Sequence, residues 1–266
     1  MSDGPTTRYA SPAAFRQALK QALHAQARLS ERLYSELERE FLMQRFLARV
    51  FHQDITQWVL KGGIGLLIRL PSARFSRDLD LFNRETGLAG AIAELERRAS
   101  ITGLDPLTFQ LLTPRPMMGG VAGMTVTVQA FLGTTLYGSF PIDLSTNLEP
   151  VGQIEIVIPE PVVSVADVSL PTPIQVYPLP DQIADKVRAM YSRYGSMGAP
   201  SSRFHDLVDL VLIISSCRID AGELRRSLAR QSEIRSLQLP ARLVPPAPLL
   251  DQRVSQSGCP STLDTR

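Results

Sequence analysis

The stretch "WVLKGGIGLLIRLPSARFSRDLDLF", residues 58–82, decides the fold predicted for this chain. Its first residues form a short apolar run that ends at two glycines, which predicts a strand running into a turn. The segment "IGLLIRL" then predicts the start of a helix, and "DLDLF" alternates polar and apolar residues as a half-buried strand does. The sequence therefore predicts a strand–helix–strand unit in which two acids, Asp78 and Asp80, lie inside the second strand.

The paired aspartates predict a cation site. Residues i and i+2 of a strand point to the same face, so Asp78 and Asp80 lie side by side. Two ionised carboxylates at that spacing repel each other, and Mg²⁺ removes the conflict while it also binds substrate phosphates. Two such ions can stabilise both the attacking and the leaving oxygen of a displacement at phosphorus. Asp143, in the apolar segment "FPIDLST", is the candidate third ligand. The alternative is that the aspartates face solvent at a sheet edge.

The residues around the paired aspartates favour phosphate binding. Gly62 and Gly63 follow the first strand, where glycine lets the backbone approach a phosphate and a helix start offers N–H groups. Arg74, Ser76 and Arg77 precede the second strand and can hold a triphosphate. Taken alone, the two glycines are also consistent with a simple tight turn. The order of these elements is a more specific indication of phosphate binding than any one of them alone. It consists of a strand, Gly-Gly, a helix, a basic loop and a strand with Asp-x-Asp.

The rest of the chain predicts an α+β protein. Ser11 caps a first helix that contains Phe15, Leu19 and Leu23 at a spacing of four, and a second helix is expected at roughly 30–51. The nearly all-apolar helix in "SRFHDLVDLVLIISS" is expected at the centre of a C-terminal bundle. The proline-containing segment after residue 238 has no periodicity and is expected to be disordered. Further predicted helices are 87–100, 179–194 and 221–230, and further predicted strands are 108–112, 123–132 and 138–146.

The composition fits a folded intracellular protein and argues against several other classes. Apolar residues make up 44% of the 266 residues, which is enough for a sizeable core. The 28 basic and 26 acidic residues give a net charge of +2, so global charge does not argue for a nucleic-acid partner. The two cysteines, Cys217 and Cys259, have no metal-binding spacing and suit a reducing compartment. The chain has no 18-residue apolar run and no signal peptide, so we expect a cytoplasmic protein without a membrane partner.

The motifs in "KGGIGLL" and "RFSRDLDLF", with two motifs downstream, resemble those of AbiEii/AbiGii-type nucleotidyltransferase toxins, a branch of the DNA polymerase β-like nucleotidyltransferase superfamily. The first two motifs match at Lys61, Gly62, Gly63, Arg74, Ser76, Asp78 and Asp80. The downstream helix motifs match at Lys186 in "IADKVRAM" and at Arg203, Asp206 and Asp209 in "RFHDLVDL". The resemblance covers roughly residues 12–230, and Gly65 departs from the alanine that is usual in the family.

The resemblance implies both a fold and a set of site residues. The fold is an α+β polymerase β-like mixed sheet (53–178) with an N-terminal helical segment (1–52), a C-terminal helical region (179–238) and a tail (239–266). The catalytic residues implied are Asp78, Asp80, Lys186 and Asp206. The nucleotide-binding residues implied are Lys61, Gly62, Gly63, Arg74, Ser76 and Arg203. Metal binding is expected at Asp78, Asp80 and Asp143.

Two of the downstream residues also have simpler interpretations. Lys186 lies beside the apolar stripe of its helix, from which a lysine side chain can extend to solvent. Arg203 and Asp206 are three residues apart on a helix and can form a surface ion pair worth a few tenths of a kcal/mol. The resemblance instead makes Lys186 a phosphate-binding lysine with Asp206 beside it.

The activity implied is Mg²⁺-dependent transfer of a nucleoside monophosphate from an NTP to an RNA acceptor, such as the 3′ end of a tRNA. The protein would be the toxin of a toxin–antitoxin or phage-defence system, neutralised by a separately encoded antitoxin. A basic surface for the RNA is expected from Arg69, Arg74, Arg77 and Arg84. The alternatives are a catalytically inactive nucleotide-binding regulatory module and a small-molecule (antibiotic) nucleotidyltransferase. A complete carboxylate set argues against the first, and the downstream helix motifs argue against the second.

Overall fold

The computed structural model of the chain describes residues 9–52, 54–117, 122–146, 148–194, 199–201 and 203–235. The helices of this part are α1 (Pro12–Ser30), α2 (Tyr34–Val50), α3 (Gly62–Arg69), α4 (Leu88–Ala99), α5 (Leu179–Tyr191), α6 (Phe204–Ser216) and α7 (Ala221–Arg235). Its strands are β1 (Trp58–Lys61), β2 (Leu79–Asn83), β3 (Leu107–Leu111), β4 (Arg115–Pro116), β5 (Met124–Leu132), β6 (Thr135–Thr146), β7 (Glu155–Val157), β8 (Ile174–Val176), β9 (Arg193–Tyr194) and β10 (Ala199–Pro200). The tail that was expected to be disordered lies outside the described residues.

The chain divides into two compact units. The first comprises Met1–Leu148 and Glu155–Val176 and contains α1 to α4 with β1 to β8. The second comprises Glu149–Ile154 and Tyr177–Arg266 and contains α5 to α7 with β9 and β10. The large sheet and the C-terminal helices therefore belong to different units.

A mixed sheet organises the first unit. Its strand order is β3-β5-β6-β2-β1-β8-β7, and β4 pairs with β5. The pairs β2–β6 and β1–β8 are parallel, and the other pairs of this sheet are antiparallel. β5 and β6 form a long hairpin whose turn contains Gly133 at φ +61°, a left-handed conformation that glycine adopts without strain. The predicted α+β fold with a mixed sheet is confirmed.

The first helix forms where the sequence predicts it. The Ser11 hydroxyl oxygen accepts a hydrogen bond from the Ala14 backbone N–H at 3.2 Å, which caps the helix start. Phe15, Leu19 and Leu23 repeat every fourth residue, and all three side chains are fully buried. The predicted cap and apolar face of α1 are therefore confirmed.

The second helix begins later than expected. The chain was predicted to start this helix at about Ser30, but Ser30 is the last residue of α1 and α2 starts at Tyr34. Glu31 has φ 56°, a left-handed conformation that ends α1 and separates the two helices. The apolar periodicity continues across this break, which is why the sequence pattern did not show it.

The helix α6 is less buried than its composition predicts. Leu210 and Ile213 are buried, whereas Val211 is 43% exposed and Ile214 is 68% exposed. Within this unit α5 packs against both α6 and α7, so α5 is the shared element. The expectation that α6 lies at the centre of a bundle is therefore wrong. No helix in the described part of the chain combines the length and apolar character needed to cross a bilayer.

A buried ion-pair cluster ties α2 to the segment that follows α4. The fully buried Arg49 guanidinium donates to both carboxylate oxygens of Asp105, at 2.8 and 2.9 Å. Arg45 donates to the same carboxylate at 2.8 Å. Arg49 also donates to the backbone carbonyl oxygens of Ile101 and Leu107, so the buried charges are extensively hydrogen-bonded. No local sequence pattern marks this cluster, because its members are far apart along the chain.

Replacement of Asp105 should destabilise the first unit strongly. Asp105→Asn leaves two buried guanidinium groups without a carboxylate, and we expect the free energy of unfolding to fall by about 3–5 kcal/mol. The matched control is Arg97→Gln, which removes an exposed ion pair with Glu94 and should cost less than about 1 kcal/mol. Urea unfolding followed by the fluorescence of Trp58, the single tryptophan, measures both. Equal losses in the two variants would contradict a structural role for the cluster.

Candidate active site

The strand register aligns five polar residues in one row across the sheet. Lys61 of β1 is opposite Asp80 of β2, and Asp80 is beside Asp143 of β6. Asp143 is opposite Thr125 of β5, which is in turn opposite Arg115 of β4. Residues in register on neighbouring strands share a face of the sheet. The row therefore has two carboxylates in its middle and a cationic residue at each end.

Asp80 and Asp143 are the acidic centre of this row. They are register partners on parallel strands, which lie about 4.8 Å apart in a sheet. Both residues are partly buried, so their mutual repulsion is only partly screened by water. Thr125 Oγ1 donates a hydrogen bond to Asp143 Oδ1 at 2.7 Å. The structure thus brings Asp143 next to Asp80 and gives one of its oxygens a fixed partner.

Asp78 lies just outside the strand in which it was expected. β2 begins at Leu79, whose register partner Ile142 is the first in the β2–β6 pairing, so Asp78 precedes the ladder. Ser76 Oγ donates to Asp78 Oδ1 at 2.6 Å, and Ser76 is only 7% exposed. The expectation that Asp78 and Asp80 both lie within the strand is wrong. The Ser76 hydroxyl contacts the Asp78 carboxylate and orients it.

Gly62 and Gly63 are required by close contacts at the start of α3. Gly62 has φ +69°, and a Cβ at this position would lie 1.8 Å from Asp80 Oδ2. A Cβ on Gly63 would lie 2.6 Å from the Cβ of Ser76. Both distances are shorter than any real contact, so α3 can begin beside Asp80 and Ser76 only with glycine. A simple tight turn does not account for these two contacts.

The start of α3 is suited to an anion. Lys61 is an extended N-cap residue that makes no side-chain capping bond, and the first turn of α3 contains no acidic residue. The first N–H groups of a helix have no intrahelical partner and form the positive end of its dipole. Because Gly62 touches Asp80, this positive end lies beside the acidic centre of the row.

A second polar cluster lies in the other unit, on α5 and α6. Lys186 Nζ is 3.2 Å from Asp206 Oδ1 and 2.6 Å from Asp209 Oδ2. Arg203 Nε donates to Asp206 Oδ2 at 2.6 Å. Lys186 and both aspartates are buried, whereas the Arg203 side chain is 58% exposed. Lys186 therefore does not extend to solvent, and the Arg203–Asp206 ion pair exists as part of a larger network.

The carboxylates of the first unit suit a cation shared with a substrate. In the part of the chain that the structure describes, no three His, Cys, Asp or Glu side chains converge as a metal site. Mg²⁺ is commonly bound through one or two carboxylates together with waters and substrate phosphates. Asp80 and Asp143 supply two carboxylates beside a helix start that favours phosphate. The donor set therefore fits a magnesium ion that arrives with a nucleotide.

The basic residues around β2 differ in their access to solvent. Arg69 is the last residue of α3, and its side chain is 7% exposed and pairs with Glu155 Oε1 at 3.0 Å. It is not part of the expected basic surface, and that assignment is wrong. Arg77 and Arg84 are exposed, whereas Arg74 is half-buried. The exposed residues among the expected arginines are thus Arg77 and Arg84.

Two members of the row were not identified from the sequence. Thr125 and Arg115 lie in segments whose patterns indicate strands or loops but no site. The alternation of Thr125 and Thr127 with valines indicates that both threonines share one face of β5. Which residue lies opposite them depends on pairing with β6, and no local pattern specifies that pairing.

Known structures are similar to this chain. MenT4, a nucleotidyltransferase toxin from Mycobacterium tuberculosis, is 18% identical and superposes with a TM-score of 0.54 over 88% of this chain and 76% of that chain. JHP933 from Helicobacter pylori is 15% identical over 83% of this chain and 88% of that chain, with a TM-score of 0.47. No curated protein matches the chain significantly in sequence. The similarity to MenT4 shows that the chain has the fold of a nucleotidyltransferase.

The sequence identifies the family of nucleotidyltransferases to which the chain belongs. The family described as "Nucleotidyl transferase AbiEii toxin, Type IV TA system" matches residues 45–256. The chain therefore belongs to the AbiEii family of nucleotidyltransferase toxins, and it is a nucleotidyltransferase of a type IV toxin–antitoxin system. Membership implies an antitoxin as a partner. The expected family is confirmed, but the match begins and ends later than the expected range of 12–230 and includes part of the tail.

Substitution of Gly62 tests whether its close contact with Asp80 is needed for stability and for nucleotide transfer. Gly62→Ala should lower the melting temperature and reduce nucleotide transfer at least about tenfold, because the added methyl group displaces Asp80 and strains a positive φ. Gly65→Ala is the matched control, since its Cβ would come no closer than 3.4 Å to Leu60 and alanine favours a helix interior. Thermal unfolding and transfer of label from NTP measure both effects. Identical behaviour of the two variants would show that the close contact has no functional importance.

Proposed function

We propose that the chain transfers a nucleoside monophosphate from an NTP to the 3′ end of an RNA, with tRNA as the expected acceptor and Mg²⁺ as the cofactor. The observation that carries this proposal is the position of Asp80 and Asp143 side by side, next to a helix start that only glycine allows. In the reaction, the acceptor hydroxyl oxygen bonds to the α-phosphorus, the bond to the pyrophosphate oxygen breaks, and the hydroxyl proton is released. Catalysis of this kind depends mainly on positioning and on stabilising charge.

The carboxylates of the first unit would hold the cation. Asp80 and Asp143 supply neighbouring oxygens. Asp78, whose carboxylate accepts from Ser76, does not converge with them in this structure and would join them only when a cation and a nucleotide are bound. When bound, Mg²⁺ neutralises charge on both the carboxylates and the triphosphate. Thr125 keeps one Asp143 oxygen engaged, which leaves the other oxygen for the cation.

The start of α3 would hold the triphosphate. The backbone N–H groups after Gly62 and Gly63 face an anion with the positive end of the helix behind them. Lys61 ends the row beside Asp80, where its ammonium group can approach the same phosphates. Arg74 lies in the loop before β2 and adds a further cation. The predicted contact of Ser76 with a phosphate is assigned to its backbone, because its hydroxyl donates to Asp78.

The buried cluster of the second unit fixes the position of Lys186. Lys186 is held between Asp206 and Asp209, so its ammonium group has one defined position rather than a range of rotamers. Arg203 is anchored to Asp206 through Nε while its side chain remains largely exposed to solvent. We assign Lys186 and Arg203 to phosphate binding and the two aspartates to holding them in place.

The acceptor would be bound through its phosphates. A tRNA 3′ end is single-stranded, and proteins bind such segments with basic grooves whose affinity falls as salt rises. Arg77 and Arg84 are exposed near β2, and Arg115 is exposed at the end of the row opposite Lys61. Arg77 precedes β2 and Arg84 follows it, so they lie at opposite ends of this strand. Together with Arg115, they are the candidate contacts of the first unit for the RNA backbone.

Nucleotide transfer should depend on the acidic centre. We expect the purified full chain, incubated with Mg²⁺, total RNA and each α-labelled NTP in turn, to label small RNA with one or two of the four nucleotides. Asp80→Asn and Asp143→Asn should reduce labelling at least about a hundredfold, because each removes a charge that holds the cation. Glu85→Gln, which changes an exposed acid just after β2, is the matched control and should label RNA normally.

The same assay identifies the end of the RNA to which the nucleotide is added. Periodate oxidation of the RNA destroys the terminal diol, so labelling should disappear if the acceptor is the 3′ end. Labelling by Asp80→Asn at the wild-type rate would contradict the assignment of the acidic centre. Labelling of oxidised RNA would contradict the assignment of the acceptor end.

Growth arrest should require the same residues. We expect induced expression of the wild type, without antitoxin, to stop growth of a bacterial host, and Asp80→Asn to restore it. Co-expression of the antitoxin should restore growth with the wild type. Lys186→Ala should also restore growth, but it leaves two buried aspartates without their cation and lowers stability, so soluble protein must be confirmed. Equal arrest by the wild type and by soluble Asp80→Asn would mean that toxicity does not depend on transfer.

A further inference from the structure

The hydroxyl of Thr125 makes a contact that the fold itself does not need. Thr125 lies on β5 directly opposite Asp143 of β6, and its Oγ1 donates to Asp143 Oδ1 at 2.7 Å. The hydrogen bonds between the two backbones hold the strands together irrespective of this side chain. Valine has the same shape as threonine and favours strands equally well, so strand formation does not explain a threonine here.

The contact restricts the rotation of a carboxylate that has little other reason to stay in place. The terminal torsion of an aspartate is broad, so an unrestrained carboxylate rotates readily. Asp143 lies beside Asp80, and repulsion between the two carboxylates favours rotation of one away from the other. The Thr125 hydroxyl holds one oxygen of this carboxylate at hydrogen-bond distance. The hydrogen bond to Oδ1 therefore fixes where Oδ2 points.

We propose that Thr125 is a positioning residue for Asp143, and that its hydroxyl sets the affinity of the acidic centre for a divalent cation. The inference rests on the proposed function, in which Asp80 and Asp143 hold the cation. The Thr125 hydroxyl donates to Asp143, and in this role it acts through the orientation of the Asp143 carboxylate. Loss of the hydroxyl should therefore weaken cation binding while the rate at saturating cation remains nearly unchanged.

The test compares four variants of the full chain. Thr125→Val removes the hydroxyl at constant shape, and Thr125→Ala removes it without adding a methyl group. Thr125→Ser keeps the hydroxyl. Thr127→Val is the matched control, because Thr127 lies on the same face of the same strand but opposite Pro141. One readout is the Mg²⁺ concentration that gives half-maximal nucleotide transfer. The other is direct Mn²⁺ binding by electron paramagnetic resonance with a non-hydrolysable NTP, which needs no turnover.

Loss of one hydrogen bond that only orients a partly solvated carboxylate corresponds to a modest shift in affinity. We expect Thr125→Val and Thr125→Ala to raise the Mg²⁺ midpoint and the Mn²⁺ dissociation constant roughly three- to tenfold, with the maximal rate within about twofold of the wild type. Thr125→Ser and Thr127→Val should stay within about twofold of the wild type in both readouts. If Thr125 had a purely structural role, Thr125→Val would change the melting temperature. The Mg²⁺ concentration for half-maximal transfer by the protein that remains folded would then not change.

The outcomes separate this inference from the proposed function. If Asp143→Asn loses Mn²⁺ binding but Thr125→Val and Thr125→Ala bind as the wild type does, the positioning role of Thr125 is wrong while the acidic centre stands. If Asp143→Asn binds Mn²⁺ as well as the wild type does, the cation assignment is wrong and the inference about Thr125 is overturned with it. A Thr125→Ser variant as weak as Thr125→Val would also overturn the inference, because the hydroxyl would not be the group that matters.

Discussion

The contact between the start of α3 and the Asp80 carboxylate is the constraint on which the rest of the site depends. Gly62 lies so close to Asp80 Oδ2 that no side chain fits, and its positive φ turns the chain from β1 directly into the helix. The same turn positions Lys61 opposite Asp80 and brings Gly63 against Ser76. Ser76 in turn orients Asp78. The close contact of the Gly62 backbone with Asp80 therefore positions the start of α3, the acidic strand β2 and the loop before β2.

The parallel pairing of β2 with β6 adds the second half of the acidic centre. Asp80 and Asp143 come from distant parts of the chain, and they become neighbours only because two parallel strands place them in register. The row continues on each side to a cationic residue, Lys61 at one end and Arg115 at the other. Two adjacent carboxylates repel each other in the absence of a cation, so this arrangement favours a ligand that brings positive charge. The positive end of α3 then favours a ligand that also carries phosphate.

The sequence predicted the local parts of this site because they rest on local rules. Gly62 and Gly63 follow an apolar run, and Asp80 alternates with leucines, so spacing alone indicated a strand, a helix start and an acidic strand. The predicted start of the strand at Asp78 was wrong because strand pairing begins one residue later than the alternation suggests. The register that joins Asp143 to Asp80 and Thr125 to Asp143 is a tertiary property, and single-strand patterns do not contain it.

Burial of charge was the other feature that sequence patterns did not show. Arg49 and Asp105 form a fully buried pair, although each residue type is usually exposed. Lys186 lies next to an apolar stripe, where a solvent-exposed position was the simpler expectation, yet it is buried between Asp206 and Asp209. In both cases the partners that make burial tolerable lie on other elements, so the pattern of one helix cannot reveal them.

The most direct test of the proposed site is a crystal structure of the chain with Mg²⁺ and a non-hydrolysable NTP. We expect a cation bound to Asp80 and Asp143, with the triphosphate at the backbone N–H groups that follow Gly62 and Gly63. A nucleotide bound elsewhere, with Asp80 and Asp143 contacting neither cation nor phosphate, would contradict the assignment of this row as the catalytic centre.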